Sequence, residues 1–240
     1  MKNILLSTAA LVFTTSVAFA DTVRMGTEGA YPPYNFVNDN GDLDGYEIVL
    51  GNELCKRAEL TCEWVQNDWD SIITNLNSGN YDTIIAGMSI TDERKEVIDF
   101  SQNYTPPAAS AYLALSEDVD LTSAVVAAQA ATIQAGYIAE SGAILVEFAT
   151  PDETVAAVKN GEADAVFADG DYLYPIAAES GGEMLIVGEP IGLGGGIGIG
   201  MRKSDTELKA KFNTAIDSMK ADGTLNALIT EWFGADAQVF

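Results

Sequence analysis

The chain contains no histidine among its 240 residues, and that absence removes more function classes than any motif adds. Gly87-Met88-Ser89-Ile90-Thr91 half-matches the nucleophile elbow of an α/β-hydrolase. Without histidine no Ser-His-Asp relay can be assembled, and only rarer bases could activate Ser89. Cysteine is nearly absent as well: Cys55 and Cys62 are the only two. Two thiols with no histidine do not complete a tetrahedral metal site. Positive charge is scarce, with 12 Lys and Arg against 36 Asp and Glu and a formal net charge of -24. Nucleic acid is therefore a poor partner, since phosphate binding needs clustered Lys and Arg. The acidity reads first as a solvated surface and second as a field that concentrates a cationic ligand until salt screens it. After residue 20 no apolar run reaches the roughly 20 residues that a membrane-spanning helix needs.

What is present begins with an export signature. Lys2 supplies a positive n-region, residues 4–17 an apolar h-region, and Ala18-Phe19-Ala20 a small-residue cleavage site. Together these predict a secretory signal peptide over residues 1–20, with Asp21 as the first mature residue. No cysteine follows the cleavage site, so a lipid anchor is not expected. In an exported protein, Cys55 and Cys62 most simply form one disulfide. About 220 residues remain, enough for one large domain or two smaller ones, each able to bury a core.

Residues 81–100 organise the rest. Residues 81–86 are a short apolar, β-branched run bounded by Gly79 and Gly87, which predicts a buried strand. Thr91 followed by Asp92, Glu93 and Arg94 predicts a capped helix start, with acidic residues where the helix dipole favours them. Ser89 and Arg94 thus fall at a strand-to-helix junction, where open α/β sheets hold ligands and an Arg fork can grip a carboxylate. The residues alone leave a second reading open, a structural turn in which Arg94 pairs with Asp92 or Glu96 on the surface.

Residues 22–26 alternate like a strand and run into a loop fixed by Pro32 and Pro33, which places Glu28, Tyr31 and Tyr34 beside the strand's carboxyl end. Tyr31 reads as a stacking platform or as loop packing. Asn40, Asp42, Asp44 and Gly45 have calcium-loop spacings, but Gly51 stands where the bidentate Glu belongs, so a hairpin turn is expected over residues 38–45. A helix over 48–58, a strand over 62–66 and a helix over 71–78 follow, with Asp70 as the expected cap. Trp69 lies at another strand-to-helix junction, in the core or facing a ligand cation.

Tyr104-Thr105-Pro106-Pro107 interrupts the pattern and marks a candidate domain crossing. A second alternation places strands at 124–128, 144–148 and 163–167 and helices at 134–140, 153–159 and 171–179. Asp169 lies at a carboxyl edge, as a helix cap or as a ligand group. Glycines at 192, 194, 196, 198 and 200 have the period of a strand, leaving room for close backbone approach or flexing. No G-x-G-x-x-G register fits them. Helices over 207–220 and 225–232 end the chain.

In combination and order, several stretches are specific. They are Gly26-Thr27-Glu28-Gly29-Ala30-Tyr31-Pro32-Pro33-Tyr34, Gly45-Tyr46-Glu47-Ile48, Leu54-Cys55-Lys56-Arg57 and the run from Ala86 through Gly87, Ser89 and Thr91 to Arg94. Asp164-Ala165-Val166-Phe167-Ala168-Asp169, Gly198-Ile199-Gly200-Met201-Arg202, Asp222-Gly223-Thr224-Leu225 and Trp232-Phe233-Gly234 complete the set. The chain so read resembles the family 3 extracellular solute-binding proteins, periplasmic amino-acid receptors that feed ATP-driven importers. The resemblance implies an α/β, two-lobe, type II periplasmic-binding-protein fold, each lobe a mainly parallel sheet flanked by helices, joined by two crossing strands. Lobe 1 would comprise residues 21–108 and 197–240, and lobe 2 residues 109–196.

Position by position, the resemblance implies that Arg94 pairs with a ligand α-carboxylate, helped by Ser89 and by Thr132 at a helix N-terminus. Asp169 and the Gly87 carbonyl would take the α-ammonium. Tyr31 and Trp69 would sandwich the side chain, and Glu28 and Glu47 would meet a distal cationic group. Ala131 stands where the family usually has Gly, and Ile133 where a second Thr is common. The implied protein is a non-enzymatic, monomeric periplasmic receptor for a basic L-amino acid, with no cofactor, docking on the membrane permease of an ABC importer. Arginine ranks first because its planar guanidinium suits aromatic stacking and a fork onto Glu28, followed by lysine, ornithine or an opine. Two other classes stand beside it: a dehydratase-like enzyme with Glu28 or Glu47 as general acid, and a ligand-sensing input for a chemoreceptor or kinase.

Overall fold

The computed structural model describes residues 22–240, and the expected signal peptide over residues 1–20 lies outside them. In chain order the elements of the first part are β1 (Val23–Thr27), β2 (Ala30–Tyr31), β3 (Asn35–Val37), β4 (Leu43–Asp44), α1 (Tyr46–Arg57), β5 (Cys62–Gln66), α2 (Ile72–Asn77), β6 (Thr83–Ile84), α3 (Asp92–Lys95) and β7 (Asp99–Thr105). Then come β8 (Ala109–Ala114), β9 (Val125–Gln129), α4 (Ile133–Glu140), β10 (Ile144–Phe148), α5 (Pro151–Lys159), β11 (Ala165–Asp169), α6 (Gly170–Glu179) and β12 (Leu185–Gly192). The chain ends with β13 (Ile197–Met201), α7 (Thr206–Ala221) and α8 (Thr224–Phe233).

Two five-stranded sheets carry the molecule, in the orders β5-β1-β6-β13-β7 and β10-β9-β11-β8-β12. In each, one strand opposes the rest: β13 runs antiparallel to β6 and β7, and β8 antiparallel to β11 and β12. Those two are the strands by which the chain enters from the other sheet. The fold is therefore the two-lobe α/β architecture with two crossings. Near-continuous burial of β13 and of β11's first residues matches their apolar composition, since strands covered on both faces need no polar alternation.

The crossings are short, residues 106–108 and 193–196. The second crossing packs against the end of β7: a Cβ at Gly196 would lie 2.6 Å from the Thr105 carbonyl, and Gly196 has φ +89. Only glycine fits that approach. The expected period-two glycine strand thus covers only Gly198 and Gly200, while Gly194 and Gly196 form the turn that enters it.

Local signals explain most boundaries. Thr150 and Glu153 form a reciprocal capping box with Pro151 at the start of α5. Asn38 accepts the Asn40 and Asp42 N–H groups with its side chain and closes the β3–β4 hairpin expected over residues 38–45. The Cys55–Cys62 disulfide ties the end of α1 to the start of β5, with Cα atoms 6.3 Å apart. Asp70 is a correction: it lies inside a 3-10 turn, Trp69–Ser71, and caps nothing, because the helix proper begins only at Ile72. The strand expected over residues 81–86 is ladder-paired only at Thr83–Ile84, although its flanks are buried.

Candidate functional site

Arg94 is the first element of the site. The Thr91 hydroxyl accepts the Arg94 N–H at 3.1 Å and caps α3. The side chain then turns inward instead of pairing on the surface, where Lys95 takes Asp92. Arg94 is 9% exposed; its Nη1 donates to the Ser89 carbonyl at 2.9 Å and its Cζ lies 5.3 Å from the Trp69 ring centroid. Among the described residues no carboxylate oxygen lies within 4.0 Å of its nitrogens. Burial pulls the guanidinium down to about 10 against the attraction of Asp169. A buried cation without an ion-pair partner is costly by several kcal/mol, so this group is built to receive an anion.

Asp169 faces it from the second sheet. It stands at the end of β11 and the start of α6, yet makes no side-chain cap. Its Oδ2 accepts the Tyr31 hydroxyl at 2.8 Å and its Oδ1 accepts Gln134 Nε2 at 2.8 Å. Burial pushes this carboxyl up to about 6, with the Tyr31 hydrogen bond opposing. Thr132 caps α4: its hydroxyl accepts the Ala135 N–H and donates to the Gln129 carbonyl. That hydroxyl is spent on the fold, so what Thr132 and Ile133 add is the N-terminal end of α4. Ala131 adopts φ +57, the glycine-like conformation that its position demands, and its carbonyl accepts Arg94 Nη2 at 3.4 Å.

Glu28 follows β1 and is 6% exposed. Gln129 Nε2, at the end of β9, donates to its Oε1 at 2.6 Å. Burial pushes Glu28 up to about 7; Gln129 opposes this, and Asp68, Asp152 and Glu47 add to it. Tyr31 stacks on Tyr172 at 4.8 Å, and the Trp69 indole N–H is buried with no acceptor among the described residues. Glu28, Tyr31, Trp69, Gly87, Ser89, Arg94, Thr132 and Asp169 line one cavity together with Ala86, Gln129, Ile133 and Gln134.

Glu47 is not brought to that cavity. It is wholly buried, and its oxygens are taken by the Gly87 N–H, Asn35 Nδ2 and the Tyr104 hydroxyl. The expected contact of Glu47 with a distal cation falls away, because no acceptor faces the ligand space. Conversely, Gln129 and Gln134 enter the site unannounced. A signal existed: they are the last residue of β9 and the second of α4, the same kind of junction that singled out Ser89 and Arg94.

The chain matches the model for bacterial extracellular solute-binding proteins, family 3, over residues 23–235. It is similar to a periplasmic His/Glu/Gln/Arg/opine family-binding protein from Silicibacter pomeroyi, crystallised in complex with lysine: 73% identical, TM-score 0.90, covering 91% of this chain and 100% of that one. It is similar, at 31% identity, to the L-arginine-binding protein of Pseudomonas aeruginosa, over 89% of this chain and 88% of that protein. It is also similar to an ancestral amino-acid-binding protein described as a precursor of cyclohexadienyl dehydratase: 31% identical, TM-score 0.80, covering 88% of this chain and 95% of that one. With every helix and strand from Val23 to Phe233 inside the family match, the chain belongs to the bacterial extracellular solute-binding proteins, family 3.

Proposed function

We propose that this protein is a periplasmic receptor that captures a basic L-amino acid and presents it to the permease of an ABC importer. The observation that carries the reading is one cavity lined by a buried guanidinium, Arg94, with no carboxylate partner among the described residues, and by two carboxylates, the buried Glu28 and the half-buried Asp169. The α-carboxylate goes to Arg94 and the N-terminal end of α4, with Ser89 beside them. The α-ammonium goes to Asp169 and the Gly87 carbonyl. Tyr31 and Trp69 flank the aliphatic stem, and a distal cation meets Glu28.

Gln129 bears on which cation. With one Glu28 oxygen accepting Gln129 Nε2, the other oxygen and the Gln129 carbonyl suit a compact ammonium, whereas a guanidinium fork on Glu28 has to share the first oxygen with Gln129. Lysine therefore fits beside Gln129 and arginine fits by sharing an oxygen with it, in keeping with one relative crystallised with lysine and another named for arginine. Ornithine and opines offer the same charges at other reaches.

The proposed receptor divides into one lobe of residues 22–108 with 197–240, as far as the described residues go, and a second of residues 109–196. Ligand bridging Arg94 and Asp169 stabilises the closed arrangement by its differential affinity for it. A thermal-shift series on refolded mature protein tests the reading. Lysine and arginine should raise the melting temperature, because saturating ligand adds RT ln(1 + [L]/Kd) to stability. A response led by acidic or neutral amino acids would overturn the basic-ligand assignment.

One observation favours a second reading, a dehydratase-like enzyme. Glu28 near 7 is poised to give a proton at neutral pH, and one relative is a dehydratase precursor. Formation of an eliminated product from a hydroxylated cyclohexadienyl acid would support it. Amino-acid binding without turnover would leave Glu28 as a cation ligand.

A further inference from the structure

We infer that Glu47 is a positioning residue: it holds the Gly87 turn and the Glu28 loop of the cavity wall against the foot of the first crossing, so that the ligand-contacting backbone and the crossing move as one body. This rests on the proposed amino-acid receptor, in which Gly87 and Glu28 meet ligand.

The geometry is specific. The Gly87 N–H points at both Glu47 oxygens, at 2.7 and 3.0 Å. Gly87 has φ +61, and a Cβ there would lie 3.2 Å from the Tyr31 ring. Lacking a side chain, this peptide has its N–H as the handle by which Glu47 fixes it. Asn35 Nδ2 donates to Glu47 Oε2 at 2.7 Å, while Asn35 Oδ1 accepts the N–H of Gly29, the neighbour of Glu28, at 2.7 Å. Glu47 thereby reaches the Glu28 loop through one intermediary. Its own N–H donates to the Tyr34 carbonyl in the same loop.

The third connection leaves the cavity. The Tyr104 hydroxyl donates to Glu47 Oε1. Tyr104 immediately precedes Thr105, the last residue of β7, whose carbonyl packs against Gly196 of the second crossing. The Tyr46 hydroxyl secures the same residue from the other side, donating to the Tyr104 carbonyl at 2.9 Å. Every group aimed at the Glu47 carboxylate is a donor, the demand that an ionised, acceptor-only side chain meets. A glutamine cannot meet it: its amide nitrogen would confront at least one of those donors.

The test uses refolded mature protein as wild type, Glu47→Gln and Tyr104→Phe. It reads the Kd for L-lysine by calorimetry, the exchange rates of the Gly87 and Gly29 amides by NMR, and lysine-induced compaction by small-angle scattering, all well below the melting temperatures. Glu47→Gln should weaken lysine binding about tenfold or more and speed Gly87 amide exchange, as expected for losing a hydrogen bond to a charged, buried group. Tyr104→Phe should keep the slow Gly87 exchange and reduce the compaction. A Glu47→Gln protein that melts earlier but binds lysine like wild type would reduce Glu47 to a purely structural role and overturn the inference. If Glu47→Gln does not fold, Tyr104→Phe decides, and unchanged affinity together with unchanged compaction overturns it. Should wild type prefer a neutral amino acid, the basic-ligand reading fails and the same comparison proceeds with that ligand. A wild type that binds no L-amino acid sinks both.

Discussion

Glu28 and Glu47 are glutamates of the same lobe, 6% and 0% exposed, and both are held above the ordinary carboxylate range by burial. Glu47 has its donors supplied by the fold: a backbone N–H, an amide and a phenol. Among the described residues Glu28 has one, Gln129, which belongs to the other lobe, and otherwise feels the negative charges of Asp68, Asp152 and Glu47. Burial alone therefore does not mark a ligand group. What separates the two is whether the protein itself answers the charge, because an unanswered buried charge costs several kcal/mol that a ligand can recover. Arg94 stands with Glu28 on the unanswered side.

The largest expected effect follows from that division. Arg94→Ala should abolish amino-acid binding while leaving the unliganded protein as stable as wild type or more so, since it removes a buried cation that has no carboxylate partner among the described residues. Calorimetry and thermal melts check both halves, and retained micromolar affinity, about -8 kcal/mol, would contradict the role. Glu28→Gln should weaken lysine binding by about a hundredfold, as expected for removing one partner of a buried charge pair, with no loss of unliganded stability at pH 8. The Glu47→Gln variant should show the opposite profile in stability, melting earlier than wild type at the same pH.

Acid should act next. Binding a cation requires ionised Glu28, so affinity for lysine should fall by about tenfold per pH unit once pH drops below about 7, and protons should be released on binding near neutrality. Stability of the free receptor moves the other way. Between 4.5 and about 7 the folded state holds more protons on Glu28 than the unfolded chain does, so this group's contribution falls as pH rises through that window. Asp169, raised from 3.8 to about 6, adds a loss of the same sign over a lower range. The smallest effect belongs to Gln129→Ala. It should shift the lysine-to-arginine affinity ratio a few-fold toward arginine, as expected for one hydrogen bond, by freeing the Glu28 oxygen that Gln129 holds.

Much of this was legible in the sequence for a definite reason. Arg94 and Asp169 are readable because a strand followed by a cap or a turn places the next polar residue at a sheet's carboxyl edge, and that inference uses only neighbours. The same locality explains the β5 bounds, the β3–β4 hairpin and the Pro151 helix start. Glu47 is not readable in this way, because its hydrogen-bond partners Asn35, Gly87 and Tyr104 stand 12, 40 and 57 positions from it. No local pattern reports such distant partners. Asp70 failed differently: a 3-10 turn occupies the place where a cap was expected. For Gln129, residue type and position pointed to the cavity, but its bond to Glu28 spans 101 positions and exists only once the two sheets face each other.

In the proposed receptor a distal positive charge, answered by Glu28, is what the cavity selects. The most direct test is calorimetric titration of refolded mature protein at pH 8 with L-lysine and with L-norleucine, which keeps the backbone groups and the aliphatic stem but lacks the terminal ammonium. Lysine should bind tighter by about a hundredfold or more, the scale of an unpaired buried charge. Norleucine binding as tightly as lysine would contradict it.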